Sequence, residues 1–112
     1  MTIQADLLRG YTDSMILAEL AEGDSYGYRM AKHVAAITHE AVDLKEATLY
    51  TAFRRLEQQG LIRSRWGDEA GGARRRYYSI TDKGRRRLAE DRAIWLETRS
   101  ALNIVLHMEE ET

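Results

Sequence analysis

The stretch ATLYTAFRRLEQQGLI, residues 47–62, decides the fold. Leu49, Phe53 and Leu56 recur at the spacing of one helix face, which predicts a helix from about residue 46 to 59 that packs on a core. Gly60 then ends the pattern, because glycine readily takes the backbone angles that stop a helix. The outward side of this helix is polar, which favours contact with a polar partner: Tyr50, Thr51, Arg54, Arg55 and Gln58.

Two further helices are predicted before this stretch. The first covers residues 4–21 and is apolar on several sides, so we expect it to touch more than one partner. The second covers about residues 26–38 and can be capped by Asp24 or Ser25. A very short strand is possible in the connection that follows, at residues 42–44. The inward side of the second helix is expected to consist of Met30, Val34 and Ile37.

After Gly60 the apolar period changes from that of a helix to that of a strand. The runs LIRSRW (61–66) and RRRYYSI (74–80) alternate around the Gly-rich segment GDEAGGA, which predicts a β-hairpin. We expect Tyr78 in the core and Trp66 packed at the root of the hairpin. A last long helix follows at about residues 82–106, capped by Thr81 or Asp82.

The element order is three helices, a hairpin and a long helix, which is typical of a winged helix-turn-helix. The predicted fold class is therefore mainly α with a small β-hairpin, with a long C-terminal dimerisation helix added. Residues 1–80 are predicted to form a DNA-binding domain whose first helix also contributes to the dimer interface. Residues 81–112 are predicted to form the dimerisation helix and an acidic tail.

Composition and charge restrict the function. The net charge of the 112 residues is -1, but residues 63–87 hold nine Lys/Arg and only three Asp/Glu, which indicates either a polyanion-binding face or a solvated charged surface. The chain has no cysteine, its three histidines lack metal-pair spacing, and no nucleophile or phosphate-loop motif occurs, so we expect neither metal nor cofactor nor catalysis. Without an apolar span or a signal peptide, a cytoplasmic location with no membrane contact is expected.

In a helix-turn-helix protein the helix at residues 46–59 would enter the major groove of double-stranded DNA. Lys45 and Thr48 near its start suit phosphates, and its outward side suits phosphates or base edges. The arginines beyond the Gly-rich segment suit a wing that adds charge or enters the minor groove. The candidate DNA-binding residues are Tyr26, Tyr28, Lys45, Thr48, Tyr50, Thr51, Arg54, Arg74, Arg75 and Arg76.

Several motifs together make the chain similar to the short form of the PadR family of transcriptional regulators. They are LLRG (7–10), SYGYRMAK (25–32), ATLYTAFRRLEQQGLI (47–62) and RRYYSITDKGRRRL (75–88), with a tryptophan well into the last helix. Ala47 and Thr51 depart from the glycine and proline usual in the family, so an operator sequence should not be transferred from a relative. The resemblance implies a homodimeric repressor that binds a pseudo-palindromic operator.

The apolar stripe of the last helix has no expected partner within so short a chain, which independently favours a dimer. The candidate dimerisation residues are Leu7, Tyr11, Leu88, Trp95, Leu102 and Leu106. In one branch of the family, paired tryptophans hold flat aromatic or multidrug ligands at the interface. By resemblance Trp95 could do so, with Leu8, Met15 and Ala18 as walls, although plain interface packing is the alternative.

Two groups of polar side chains have both a functional and a structural interpretation. Tyr26 and Tyr28 could contact phosphates or simply begin a helix, and Arg85, Arg86 and Arg87 could extend the basic face or form a solvated first turn. At the level of function, the alternative to a DNA-binding regulator is a winged-helix protein–protein interaction module that binds no DNA. A small enzyme would need a constellation of catalytic groups, and the sequence offers none.

Overall fold

The computed structural model describes residues 1–68 and 74–108 of the chain. The predicted tip of the hairpin (69–73) and the end of the acidic tail (109–112) lie outside the described residues. The fold class is as predicted, a mainly helical chain with one antiparallel hairpin and a long C-terminal helix. The elements are α1 (Ala5–Leu8), a 3₁₀ turn (Arg9–Tyr11), α2 (Thr12–Glu22), α3 (Gly27–Ile37), α4 (Glu46–Gln58), β1 (Ile62–Asp68), β2 (Arg74–Ile80) and α5 (Asp82–Val105).

The first predicted helix is interrupted. The tighter turn Arg9–Tyr11 separates α1 from α2, around Gly10, a residue that disfavours a regular helix interior. Within α2, Ile16, Leu17 and Leu20 are almost fully buried in the core. The other side of the helix, with Met15, is only partly covered, so α2 does face two directions as its sequence predicts.

The core lies between α2, α3, α4 and the base of the hairpin. Leu49, Phe53 and Leu56 of α4 are buried there, as their spacing predicts. Met30 and Val34 of α3 join them. The prediction for Ile37 is wrong: this residue is 60% exposed, because it ends α3 beyond the edge of the core.

The strand expected at residues 42–44 does not form. Val42 and Leu44 are buried as apolar anchors of an irregular connection. The third extended segment comes instead from before α3, where Ser25 forms an isolated bridge to Tyr78 with N···O distances of 2.8 and 3.2 Å. This bridge fixes the start of α3 directly to β2.

The hairpin is held to α4 by aromatic packing. Tyr78 is buried as predicted, and its ring stacks on Phe53 at 4.1 Å. Burial raises the pKa of the Tyr78 phenol, so its hydroxyl stays protonated. Trp66 is not packed at the hairpin root as expected, but is 55% exposed. It stands opposite Arg76 in the register, where β1 has already passed the edge of the core that buries Ile62.

The start of α5 is seated closely on the domain. Thr81 is the N-cap, its hydroxyl accepting from the Gly84 N–H at 3.0 Å. A Cβ on Gly84 would lie 2.2 Å from the Leu61 carbonyl oxygen, so only glycine allows this approach. Leu88 is buried within the chain, so the expectation that it lacks a partner there is wrong for this residue. Beyond Asp91, α5 extends away from the core.

Candidate nucleic-acid interface

The outward side of α4 carries polar side chains at successive turns. Tyr50 is half-exposed and Arg54 is exposed. Partial burial raises the pKa of the Tyr50 phenol, and a hydrogen bond with the Glu46 carboxylate raises it further, so the hydroxyl remains a donor. In the described part of the chain Arg54 has neither an ion pair nor a hydrogen bond, which leaves its guanidinium available to a partner.

Thr51 and Ala47, the two α4 residues at which the sequence differs from the family that it resembles, contact each other. The Thr51 hydroxyl donates to the Ala47 carbonyl at 3.0 Å. A proline at position 51 would lose its own backbone N–H and would clash with the carbonyl four residues earlier. With threonine there, α4 continues without a break and presents a small polar group at this turn.

Arg55 does not share the direction of Arg54. Its guanidinium contacts the Asp13 carboxylate of α2 through two atom pairs, one with Nε 3.3 Å from Oδ2. The hydrogen bond that Arg55 donates to the Asp13 carboxylate raises the pKa of Arg55. Of these two neighbouring arginines, one therefore faces solvent and the other holds α4 to α2.

The start of α3 supplies two tyrosines. Tyr28 is 67% exposed and carries Lys32 over its ring at 5.3 Å. Tyr26 is half-buried, with the Arg75 guanidinium 3.9 Å from its ring centroid. The Tyr77 ring meets Tyr26 edge-on at 5.5 Å, so the wing is held against the start of α3.

Arginines of β2 are organised around Trp66 and α4. Arg74 and Arg76 lie 5.2 and 5.5 Å from the Trp66 ring. Arg76 also donates to the Ser64 hydroxyl at 2.7 Å and contacts Glu57 of α4 at 3.4 Å. The other Glu57 oxygen is buried, with no hydrogen-bond partner in the described residues. Arg76 and Glu57 therefore join the wing to α4.

A groove of about 560 Å³ runs between the start of α3, the outward side of α4 and the wing, and we call it the basic groove. It brings together most of the candidate DNA-binding residues, namely Tyr26, Tyr28, Tyr50, Arg54, Arg74, Arg75 and Arg76. Trp66 and Glu57 also line it, although neither is among the candidates that the sequence indicates. Glu57 follows Tyr50 and Arg54 at helical spacing, and that signal could have revealed it.

Three candidate residues lie outside the basic groove. Thr48 and Thr51 line a separate depression of about 340 Å³ together with Arg9 and Arg55. Lys45, just before α4, forms an exposed ion pair with Asp43 at 2.6 Å. Exposed pairs of this kind are weak, so Lys45 can exchange this partner for another anion at little cost.

A second candidate site lies between α2 and α5. Its apolar lining encloses about 360 Å³, and we call it the Trp95 cavity; it is lined by Leu8, Tyr11, Ser14, Met15, Ala18, Leu88, Asp91, Arg92 and Trp95. The Tyr11 and Trp95 rings meet edge-on at 5.4 Å. All the residues expected to bind a ligand therefore share one surface.

The apolar surface continues from the Trp95 cavity along α5. Trp95 is 45% exposed, Leu102 48% and Leu106 63%, and Leu7 of α1 is 68% exposed. Apolar side chains so extensively exposed along a helix are typical of a surface that a partner covers.

The comparisons with known proteins agree with this architecture. Residues 16–90 match the family described as the transcriptional regulator PadR-like family. A protein of Lysinibacillus sphaericus, described as uncharacterized protein X, is 36% identical over 93% of this chain and 95% of its own. A transcriptional regulator of Clostridium thermocellum is 43% identical with a TM-score of 0.83, covering 91% of this chain and 96% of that one. A PadR family regulator of Clostridium difficile is 35% identical with a TM-score of 0.74, covering 86% and 98%.

The fold and the basic groove define a winged helix-turn-helix regulator. The matched residues and the relatives make the assignment specific: this chain belongs to the PadR-like family of transcriptional regulators. Across residues 1–68 and 74–108, no helix combines the length and the apolar character that spanning a membrane requires. In the same ranges no cluster of His, Asp or Glu is arranged to hold a metal ion.

Proposed function

We propose that this regulator is a cytoplasmic homodimer that binds a pseudo-palindromic operator in double-stranded DNA and represses transcription. The observation that carries the proposal is the basic groove. Arg54 and Tyr50 of α4 face the same space as Arg74, Arg75 and Arg76 of the wing. A helix with exposed donors beside a cationic hairpin suits a major groove flanked by phosphates.

The proposed dimer rests on the outer part of α5. The apolar side chains of Trp95, Leu102 and Leu106, with Leu7 and Tyr11 of the first segment, would be covered by the same residues of a second chain. Leu88, also expected in the interface, contributes to it only by supporting α5 from within its own subunit. Two domains joined by α5 would present two grooves to two half-sites.

The proposed release from DNA depends on the Trp95 cavity. Leu8, Met15 and Trp95 offer apolar and aromatic surface open to one side, suited to a small flat aromatic or hydrophobic ligand. In the proposed dimer the second chain would close that side. In a variant whose only tryptophan is Trp95, quenching by a panel of flat aromatic compounds would support this role, whereas a silent titration would favour plain packing.

The proposed DNA binding is tested with the whole protein. Purified protein is mixed with sheared DNA from its own source at near-physiological salt, and the bound fraction is sequenced. Enrichment of one inverted repeat is expected, together with a log–log salt dependence of about -0.9 per phosphate neutralised. Arg75→Glu/Arg76→Glu should abolish the enrichment, while Ser100→Glu should retain it, because Ser100 is exposed, lies outside the groove and points away from the Trp95–Leu102 side of α5.

Two outcomes would contradict this proposal. Uniform recovery of all DNA that disappears with added salt would mean a non-specific polyanion face. An absence of DNA affinity even at low salt would favour a winged-helix protein–protein interaction module whose basic groove meets an acidic partner.

A further inference from the structure

Half-buried ion pairs connect α5 with α4 by way of α2. On α5, Asp91 accepts a hydrogen bond from the Ser14 hydroxyl at 2.7 Å and another from Arg87 Nε at 3.0 Å. Arg87 Nη2 also lies 3.9 Å from an oxygen of Asp13. Asp13 in turn contacts Arg55 of α4 through both carboxylate oxygens. We call Ser14, Asp91, Arg87, Asp13 and Arg55 the Asp13 network.

The carboxylates of this network are largely covered by protein. The side chains of Asp13 and Asp91 are only 18% and 15% exposed, whereas those of the surface pair Arg9 and Asp6 are 79% and 81% exposed. Covered charges are screened less by solvent and salt than exposed ones. Removing one partner leaves the other charge poorly solvated, so these pairs hold their elements in place more firmly than surface pairs do.

Each end of the Asp13 network belongs to one of the surfaces described above. Ser14 and Asp91 line the Trp95 cavity. Arg55 lines the depression at the start of α4 together with Thr48 and Thr51. A displacement at the cavity can therefore reach α4 through side chains that are already in contact.

The middle of the network contains a contact that can close. The Arg87–Asp13 separation of 3.9 Å is too long for a hydrogen bond, while Arg55 and Asp13 are within reach of one. A movement of Arg87 by roughly 1 Å would give Asp13 a second strong donor. Arg87 is hydrogen-bonded to Asp91, and Asp91 accepts a hydrogen bond from Ser14 at the cavity wall. A movement of Ser14 or Asp91 would therefore change how strongly Asp13 interacts with Arg87 relative to Arg55.

We propose that Asp13 is a positioning residue that couples the state of the Trp95 cavity to the orientation of α4. Its carboxylate holds Arg55 when Arg87 is bound to Asp91, and it releases part of that hold when Arg87 moves toward it. The coupling rests on the proposed function, because it has an effect only if α4 binds DNA. Since coupling is reciprocal, operator binding at α4 must also change the surroundings of Trp95.

The reciprocal effect is measurable without an identified ligand. Trp66 and Trp95 are the two tryptophans, so Trp66→Phe makes Trp95 the sole reporter in the full-length protein. Because Trp66 lines the basic groove, the operator affinity is measured again in this background, and every further variant is compared with it. In this background the probe is a DNA duplex enriched by the protein from a random pool. Its affinity is measured by anisotropy, and the Trp95 emission is recorded before and after saturation with the duplex.

A shift of Trp95 emission on operator binding is expected in the reference protein. With Asp13→Asn, saturation is still reached, at an affinity about fivefold or more weaker, but the shift is lost. The matched control is Glu19→Gln, which removes a carboxylate from the same helix that is 14% exposed and pairs with His33. This control should keep the shift. The double variant Asp13→Asn/Arg55→Gln should behave like Asp13→Asn alone, because its two substitutions remove the same Asp13–Arg55 interaction.

Three results would overturn the coupling while the operator still binds: no shift in the reference protein, a full shift in Asp13→Asn, or an equal loss in Glu19→Gln. Failure of the unaltered protein to select any DNA sequence would refute the proposed function itself, and the coupling with it. If Asp13→Asn does not fold, Ser14→Ala removes only one hydrogen bond at the cavity end and is judged by the same shift.

Discussion

Helices α4 and α5 differ in whether their apolar residues are buried within the chain. In α4 the apolar residues Leu49, Phe53 and Leu56 are all buried within the chain, and the exposed side is polar. In α5 beyond Asp91 the large apolar residues remain exposed, from Trp95 to Leu106. The apolar side of α4 is thus covered within the chain while its other side presents hydrogen-bond donors, whereas the apolar side of outer α5 is left exposed.

The largest expected effect is a loss of stability when the buried side of α4 is altered. Phe53→Ala removes a ring that is 1% exposed and stacked on Tyr78, so the free energy of unfolding should fall by about 3–5 kcal/mol. Chemical denaturation followed by circular dichroism measures it. Leu106→Ala, at a residue 63% exposed, should cost little in dilute protein. Equal losses at all concentrations would show that outer α5 is packed within the chain.

The next prediction concerns the exposed apolar side of α5 beyond Asp91. Leu102→Arg places a charge where the proposed dimer is apolar, so the dimer dissociation constant should rise about 30-fold or more, the effect of losing one interface hot spot. Sedimentation velocity over a dilution series measures the change, with Leu102→Met as the control. Unchanged sedimentation of the arginine variant would show that this side of α5 is not covered by a second chain.

A smaller effect is expected where α5 meets the domain. Gly84→Ala puts a Cβ 2.2 Å from the Leu61 carbonyl oxygen and 2.7 Å from Ile80, so α5 must shift, at a cost of about 1–3 kcal/mol. Thermal unfolding measures the loss. Gly10→Ala, at a glycine with open space around its Cα, is the matched control and should be neutral or slightly stabilising. If Gly84→Ala left the thermal stability unchanged, the contact between the start of α5 and Leu61 would not be as close as described.

The smallest effect is spectroscopic and concerns the polar side of α4. Because the pKa values of Tyr50 and Tyr78 are raised, both phenols should ionise above pH 10, later than an ordinary tyrosine, as absorbance near 295 nm is followed with pH. Folding holds both groups protonated, so their contribution to stability is full below that pH and declines as the pH rises through the raised values. Tyr50→Phe should remove one late-ionising group, and removal of an early one would contradict the assignment.

Local spacing predicted the helices, the hairpin and the buried side of α4, because these follow from residues within a few positions of one another. The arginines that the sequence assigns to the wing lie beside Tyr50 and Arg54 in the structure. Local spacing could not show that Arg55 turns to Asp13, since neighbours on a helix differ only by a rotation and the partner lies 42 positions earlier. Nor could it show how far the core extends, and that extent decides the exposure of Ile37 and Trp66 and the burial of Leu88.

The cap at Thr81 sets the direction in which α5 leaves the domain. Its N–H donates to the Leu61 carbonyl at 3.1 Å, and its hydroxyl donates to the Gly60 carbonyl at 2.7 Å. With Gly84 pressed on Leu61, the joint is rigid in angle as well as in position. One inserted residue here would rotate α5 by roughly 100° and turn its apolar side away from a second chain. In the proposed dimer, this joint would fix the distance between the two DNA-binding surfaces. Operators of such a regulator could therefore vary in base sequence more readily than in the spacing of their half-sites.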